Sequence, residues 1–208
     1  MNEKNAVLDF FAQPENLPLG LSVAEQMDEI RERMNSQFWK NFNRQVDSLL
    51  SRHAPEWQAH AIEDRNAAEM LVGLQCKLGK PQTLCLFPML EQQYLGGNWR
   101  IFYGLMWQGA PTVGQLALPA VSQLKQVLSG AGYKSNENFL AWQWTNFYPR
   151  RSDFLQRYAL QPEKLLDEVE SVFRKLPLDL IGQANAALKD APPSQAISLD
   201  QLRKKRGD

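Results

Sequence analysis

The chain is poor in the residues from which most metal and redox chemistry is built: its 208 positions hold two histidines, His53 and His60, and two cysteines, Cys76 and Cys85. Neither histidine stands at a paired ligand spacing, which argues against a zinc site. No stretch approaches the roughly 18 uninterrupted apolar residues of a membrane helix, so no membrane partner is expected. Met1-Asn2-Glu3-Lys4-Asn5 lacks the basic-then-apolar pattern of a secretory leader, and a cytoplasmic location with reduced thiols follows as the expectation. The formal net charge is zero, which removes the broad electrostatic argument for nucleic-acid binding. A glycine-rich phosphate loop, a serine nucleophile elbow and a histidine-based triad are all missing, and with them the commonest enzyme classes.

What is present is an ordinary globular composition with segregated charge. Residues 1–70 carry 12 acids and 7 bases, residues 71–160 carry 3 and 8, and residues 161–208 carry 8 of each. The length suits one domain with helical extensions.

The most telling stretch runs from Asn66 to Gln108, where three apolar runs are separated by two turn signals. Trp99, Tyr103 and Trp107 alternate on one face, the mark of antiparallel strands with one face buried. The spacing predicts strands over 69–78, 83–94 and 99–107, with Leu95-Gly96-Gly97-Asn98 as a tight hairpin, and a fourth strand over 139–145. Pro88 cannot donate to a ladder, so it implies a bulge or an edge position. A four-residue loop at Gly79-Lys80-Pro81-Gln82 would set Cys76 opposite Cys85, within reach of a cross-strand disulfide. Their apolar surroundings favour buried thiols instead.

Helices flank these strands. Ser22-Val23-Ala24-Glu25 fits a capping box. From there Val23, Met27, Ile30, Met34, Phe38, Phe42, Val46 and Leu49 recur at steps of three and four to about Arg52, a stripe suited to lie across the sheet. The same helix, long for a globular protein, also suits a coiled-coil or partner-binding element, with Asn35-Ser36 as a bend. Pro119 and Gly130 bracket a helix over 120–129, and further helices begin near Ser152, Gln161-Pro162 and Leu178. The expected fold is α+β: an antiparallel meander of about four strands covered by a long N-terminal helix and C-terminal helices. Residues 1–21 form a short helix and linker, 22–190 a single domain, and 191–208 a polar tail.

Two groups of side chains are candidates for chemistry. Asp64 is followed by Gln75 and Lys77 at the end of the first expected strand, with Glu91 on the second. Acidic groups there can hold Mg²⁺ while a lysine orients water or phosphate, the logic of a metal-dependent nuclease. Gln75 stands where such a site has an acidic ligand, so the Asp plus Asp/Glu-x-Lys motif is incomplete. Basic pairs at Arg150-Arg151 and the run Arg203-Lys204-Lys205-Arg206 suit phosphate contacts. The aromatic sheet suits either core packing or base stacking, with a groove near Tyr103 or Trp144 as the stacking site.

The order of Phe38-Trp39 on a helix, a meander, a helix and Leu140-Ala141-Trp142-Gln143-Trp144 on a late strand resembles the accessory C-terminal region of predicted PD-(D/E)XK nuclease-family proteins associated with restriction and mobile elements. It spans roughly residues 36–176 and implies a link to DNA metabolism or phage defence. The leading expectation is a non-catalytic interaction protein with a protein partner or self-association and no cofactor. The alternatives are a metal-dependent nuclease, with Mg²⁺ as its cofactor, and a small-molecule binder, which needs a deep apolar pocket.

Overall fold

A computed structural model of the chain describes residues 3–64, 70–80 and 82–189. In chain order the elements are α1 (Glu3–Phe11), α2 (Leu17–His53), β1 (Trp57–Glu63), β2 (Leu71–Leu78), β3 (Cys85–Leu95), β4 (Asn98–Gln108), α3 (Val113–Leu116), α4 (Pro119–Gly130), β5 (Phe139–Trp144), α5 (Ser152–Leu160), α6 (Pro162–Phe173) and α7 (Leu178–Leu188). The strands form one antiparallel sheet in the order β1-β2-β3-β4-β5. The α+β expectation therefore holds, with one strand more than the pattern suggested. The missed strand is β1, an edge strand reading Trp-Gln-Ala-His-Ala-Ile-Glu. Its short alanines and exposed polar residues leave little alternation to detect.

The hairpin between β3 and β4 forms as its chemistry requires. Gly96 and Gly97 take φ of 56° and 87°, the left-handed region that a two-residue turn of this twist demands. From Leu95 opposite Asn98 to Cys85 opposite Gln108 the β3–β4 register is unbroken.

Pro88 lies within this central strand, neither in a bulge nor on an edge. The reason is on its other side. Pairing of β2 with β3 covers only Gly73↔Glu91, Leu74↔Leu90 and Gln75↔Met89, so the two strands part just where proline offers no N–H. Two residues on, the Asn185 side chain of α7 takes the place of the missing strand. Its Oδ1 accepts from the Leu86 N–H at 2.7 Å and its Nδ2 donates to the Leu86 carbonyl at 2.8 Å. The register of these strands overturns the facing arrangement of Cys76 and Cys85: continued past Gln75↔Met89 it would set Cys76 opposite Pro88, and Cys76 pairs across to Ala59 of β1 and Cys85 to Gln108 of β4. Both thiols are buried, and neither is part of a disulfide.

Helix α2 begins at Leu17 with Pro18 in its first turn, five residues before the expected capping box. Ser22 sits inside the helix, where its hydroxyl accepts from the Gln26 side chain. The linker thus shrinks to residues 12–16. The helix also runs through Asn35-Ser36 without interruption.

The C-terminal half of α2 lies against β1 and β2 and buries Phe38, Trp39, Phe42, Val46 and Leu50. Each such side chain contributes about 1.5–3 kcal/mol by leaving water. Trp39 Nε1 donates to Gln92 Oε1 at 3.0 Å, which marks the sheet face α2 covers. Tyr103, on the same face, bonds Tyr133 just after α4; burial is the main cause holding the Tyr133 phenol above its ordinary value. Helices α5 and α6 pack behind α2, whose Phe38 meets Phe154 and Tyr158 edge-on. Trp142 and Trp144 project from the opposite face: Trp142 is paired with Gly104 and Trp144 with Phe102, out of phase with Tyr103.

Candidate functional site

Gln75 and Lys77 alternate on β2, and Met89 opposite Gln75 shares its side with Glu91. All three proposed nuclease residues of the sheet therefore lie on one face, turned away from α2. Gln75 and Glu91 are buried, and Lys77 lies over the Phe87 ring at 5.0 Å. Along the strands the group is spread out. Glu91 faces Gly73, four positions from Lys77, or about 13 Å at the rise of a strand. Asp64 follows β1 directly, its N–H donating to the Met70 carbonyl at 2.7 Å. Among the described residues no group of three or more His, Cys, Asp or Glu side chains is spaced to hold a metal ion.

The consecutive arginines do separate work. The Arg150 guanidinium reaches Glu32 at 3.5 Å and Asp28 at 3.9 Å, tying the loop after β5 to the N-terminal half of α2. Arg151 pairs with Asp153 and lies 5.2 Å from the Tyr148 ring centre. Arg100 occupies the next place in this ladder, 5.4 Å from Tyr148 and 5.6 Å from Trp144. It also donates to the Thr145 carbonyl and the Asn146 side chain. Lys134 covers Trp142 in the same way. The aromatic faces that would stack a base are thus occupied by the chain's own cations, an arrangement worth about 0.5–2 kcal/mol for each pair. Tyr103 is itself buried. Arg203, Lys204, Lys205 and Arg206 lie outside the described residues.

A cleft of about 860 Å³ opens near the parting of β2 and β3, lined by Trp57, Lys80, Gln82, Asn185 and Lys189 among others. A smaller apolar hollow of about 300 Å³ lies between Leu50 and Ala54 of the α2 end and Phe173 and Leu176.

The strongest surface signal is elsewhere. Helix α1 and the first half of α2 form an arm that leaves Val7, Leu8, Phe10, Leu17, Leu19, Leu21, Val23 and Ile30 between 39% and 58% exposed. Helix α1 lies against α2 at Gly20, where a Cβ would come within 2.9 Å of the Phe11 ring. The periodic stripe was legible in the sequence; what periodicity cannot reveal is that only its second half meets a sheet. No helix among the described residues is long and apolar enough to cross a membrane. Comparison with protein-family models, with curated proteins and with solved structures finds no match to this chain.

Proposed function

We propose that the chain is a non-catalytic interaction protein that docks a protein partner on the arm formed by α1 and residues 17–34 of α2. One observation carries this reading: eight of the thirteen large exposed apolar side chains among the described residues fall between Val7 and Ile30. Concentrated exposed apolar surface is uncommon on a monomer and marks contact surfaces. The arm's charge argues against an anionic membrane as the occupant, since residues 5–34 hold six acids and two bases. The resemblance over residues 36–176 supports placing the partner in a DNA-processing or phage-defence system in the cytoplasm.

The test compares wild type with Leu19→Glu and Val23→Glu in affinity purification from the native cell, read by quantitative mass spectrometry. Partners retained by wild type are expected to be lost from both variants while the circular dichroism spectrum is unchanged. Equal retention by all three proteins overturns the reading.

A further inference from the structure

We infer that the outer edge of β1 takes up an extended peptide bearing lysine or arginine, which pairs along Trp57–Glu63 and adds a strand to the sheet. This edge is separate from the α1–α2 arm, and its occupancy is independent of the arm's.

A sheet in the order β1-β2-β3-β4-β5 has two edges, and the chain treats them differently. It closes β5 itself. The Lys134 N–H donates to the Trp142 carbonyl at 2.9 Å and the Trp142 N–H donates to the Lys134 carbonyl at 2.8 Å, so the outward side of β5 is paired. No described strand pairs with the outer side of β1.

The backbone shows which groups of β1 face outward. The Gly79 N–H donates to the Glu56 carbonyl at 2.9 Å, whereas the Trp57 N–H turns the other way, to the Ala54 carbonyl at 2.9 Å. Successive residues of a strand direct their hydrogen-bonding groups to opposite sides. Gln58 and His60 therefore bond to β2, while Ala59 and Ala61 turn their N–H and C=O outward. Among the described residues no backbone group outside the sheet ladder meets either alanine. The register shift between Ile62 and Glu63 comes only after this run.

The usual devices that blunt an edge are missing from this one. Natural edge strands carry lysine or proline, or are kept very short. Strand β1 is seven residues long and reads Trp-Gln-Ala-His-Ala-Ile-Glu, with neither residue type. Gln58, His60, Ala61 and Glu63 are exposed, so an incoming strand has access. The two alanine methyls leave space beside them for its larger side chains.

Charge selects the occupant. Residues 54–65 hold Glu56, Glu63 and Asp64 against Arg65, within a first 70 residues that carry 12 acids and 7 bases. A second copy would bring the same acids to the pairing, whereas a lysine- or arginine-bearing strand brings their complement. About five residues of it, roughly 17 Å, span Trp57 to Ala61.

The experiment titrates the isotopically labelled full chain with the peptide Ac-Lys-Val-Lys-Val-Lys-Val-amide up to ~1 mM, the weak range that suits so small a contact. Amide exchange is expected to slow at least ~3-fold at Ala59 and Ala61 and to stay unchanged at Gln58 and His60, whose N–H groups β2 already holds. The same peptide N-methylated at every residue has no N–H along its length to donate, and is expected to bind at least ~10-fold more weakly. Glutamate in place of each lysine is expected to weaken binding by a similar factor at low salt. Ala61→Pro removes an N–H that the fold does not use, and is expected to keep the wild-type melting temperature while losing the peptide. Should that variant melt lower, the N-methylated peptide tests the same hydrogen bonds on unaltered protein. No response up to ~1 mM overturns the inference. So do shifts confined to the α1–α2 arm, equal binding of the N-methylated peptide, or a wild-type dimer that Ala61→Pro dissolves, which would put a second copy on the edge. Each of these leaves the arm reading standing, since its test is the loss of cellular partners on Leu19→Glu substitution.

Discussion

The two halves of α2 are one continuous helix with one repeating apolar pattern, yet they live in different environments. Phe38, Phe42 and Val46 are 0% exposed, whereas Leu19 is 57% and Ile30 40% exposed. Local sequence does not distinguish them, because both halves satisfy the same 3.6-residue period. The difference lies in what the rest of the chain brings alongside: β1 and β2 on one side and α5 and α6 on another reach the C-terminal half only. An apolar helical face states that something must cover it and leaves open what does.

The largest test of this contrast is truncation in each half. Phe42→Ala is expected to cost about 3–5 kcal/mol in urea unfolding. Leu19→Ala in dilute protein is expected to stay within about 0.5 kcal/mol, as exposed sites do. Similar losses at both positions would break the comparison.

The next effect probes how the body closes around its parted strands. Asn185→Ala leaves the Leu86 N–H and carbonyl buried without their partner, and is expected to cost about 2–4 kcal/mol at ~1–3 kcal/mol for each orphaned group. Denaturant midpoints that match wild type would show that Asn185 is dispensable and that water or backbone movement replaces it.

A third test uses alkaline pH, to which the buried half should be sensitive and the arm should not. Burial, with a smaller contribution from Asp47, pushes the Cys76 thiol up from its ordinary value of 9.0. Burial likewise raises Tyr158, which accepts a hydrogen bond from Asn41 of α2. Each group has a folded value above its unfolded one, so its contribution is fully present below the unfolded value and is lost as pH rises above it. Stability is therefore expected to decline from about pH 9 upward, more shallowly in Cys76→Ala. An unchanged alkaline slope in that variant would remove the thiol from the account.

The smallest effect sharpens the border between the halves. Arg150 is mostly covered, but its partners Asp28 and Glu32 are more than half exposed, so Arg150→Ala is expected to cost under about 1 kcal/mol globally. Its local consequence is larger: faster amide exchange over residues 24–33 than in wild type, with exchange over 38–50 unchanged. Uniform exchange across both segments would mean that the arm is held by other contacts.

Much of the fold is legible in the sequence. The hairpin at Gly96-Gly97, the helix between Pro119 and Gly130 and strand β5 carry local signals, namely positive-φ glycines, a proline start and alternation, and local signals survive folding. Apart from the start of α2, the readings that failed depended on distant chain. Ser22 has the pattern of a cap, but Pro18, four residues earlier, already lies in the first turn of the helix. Pro88 looked like an edge residue because no local pattern announces that β2 will part from β3 and that Asn185, about a hundred residues on, will serve Leu86. The candidate site was legible only in its ingredients. Arg150 and Arg151 read as a pair, but the fold gives one to Glu32 and Asp28 and the other to Tyr148.

By itself, then, the sequence determined most of the helices and strands, β1 excepted, and where the tight turn falls, since those outcomes rest on backbone preference and on apolar period within a few residues. Tertiary structure alone decided which apolar faces are covered, which cations are already occupied by aromatic rings and carboxylates, and which stretch of α2 remains exposed. Those outcomes rest on contacts between residues far apart in the chain, and a one-dimensional pattern specifies that a surface is apolar without specifying its neighbour.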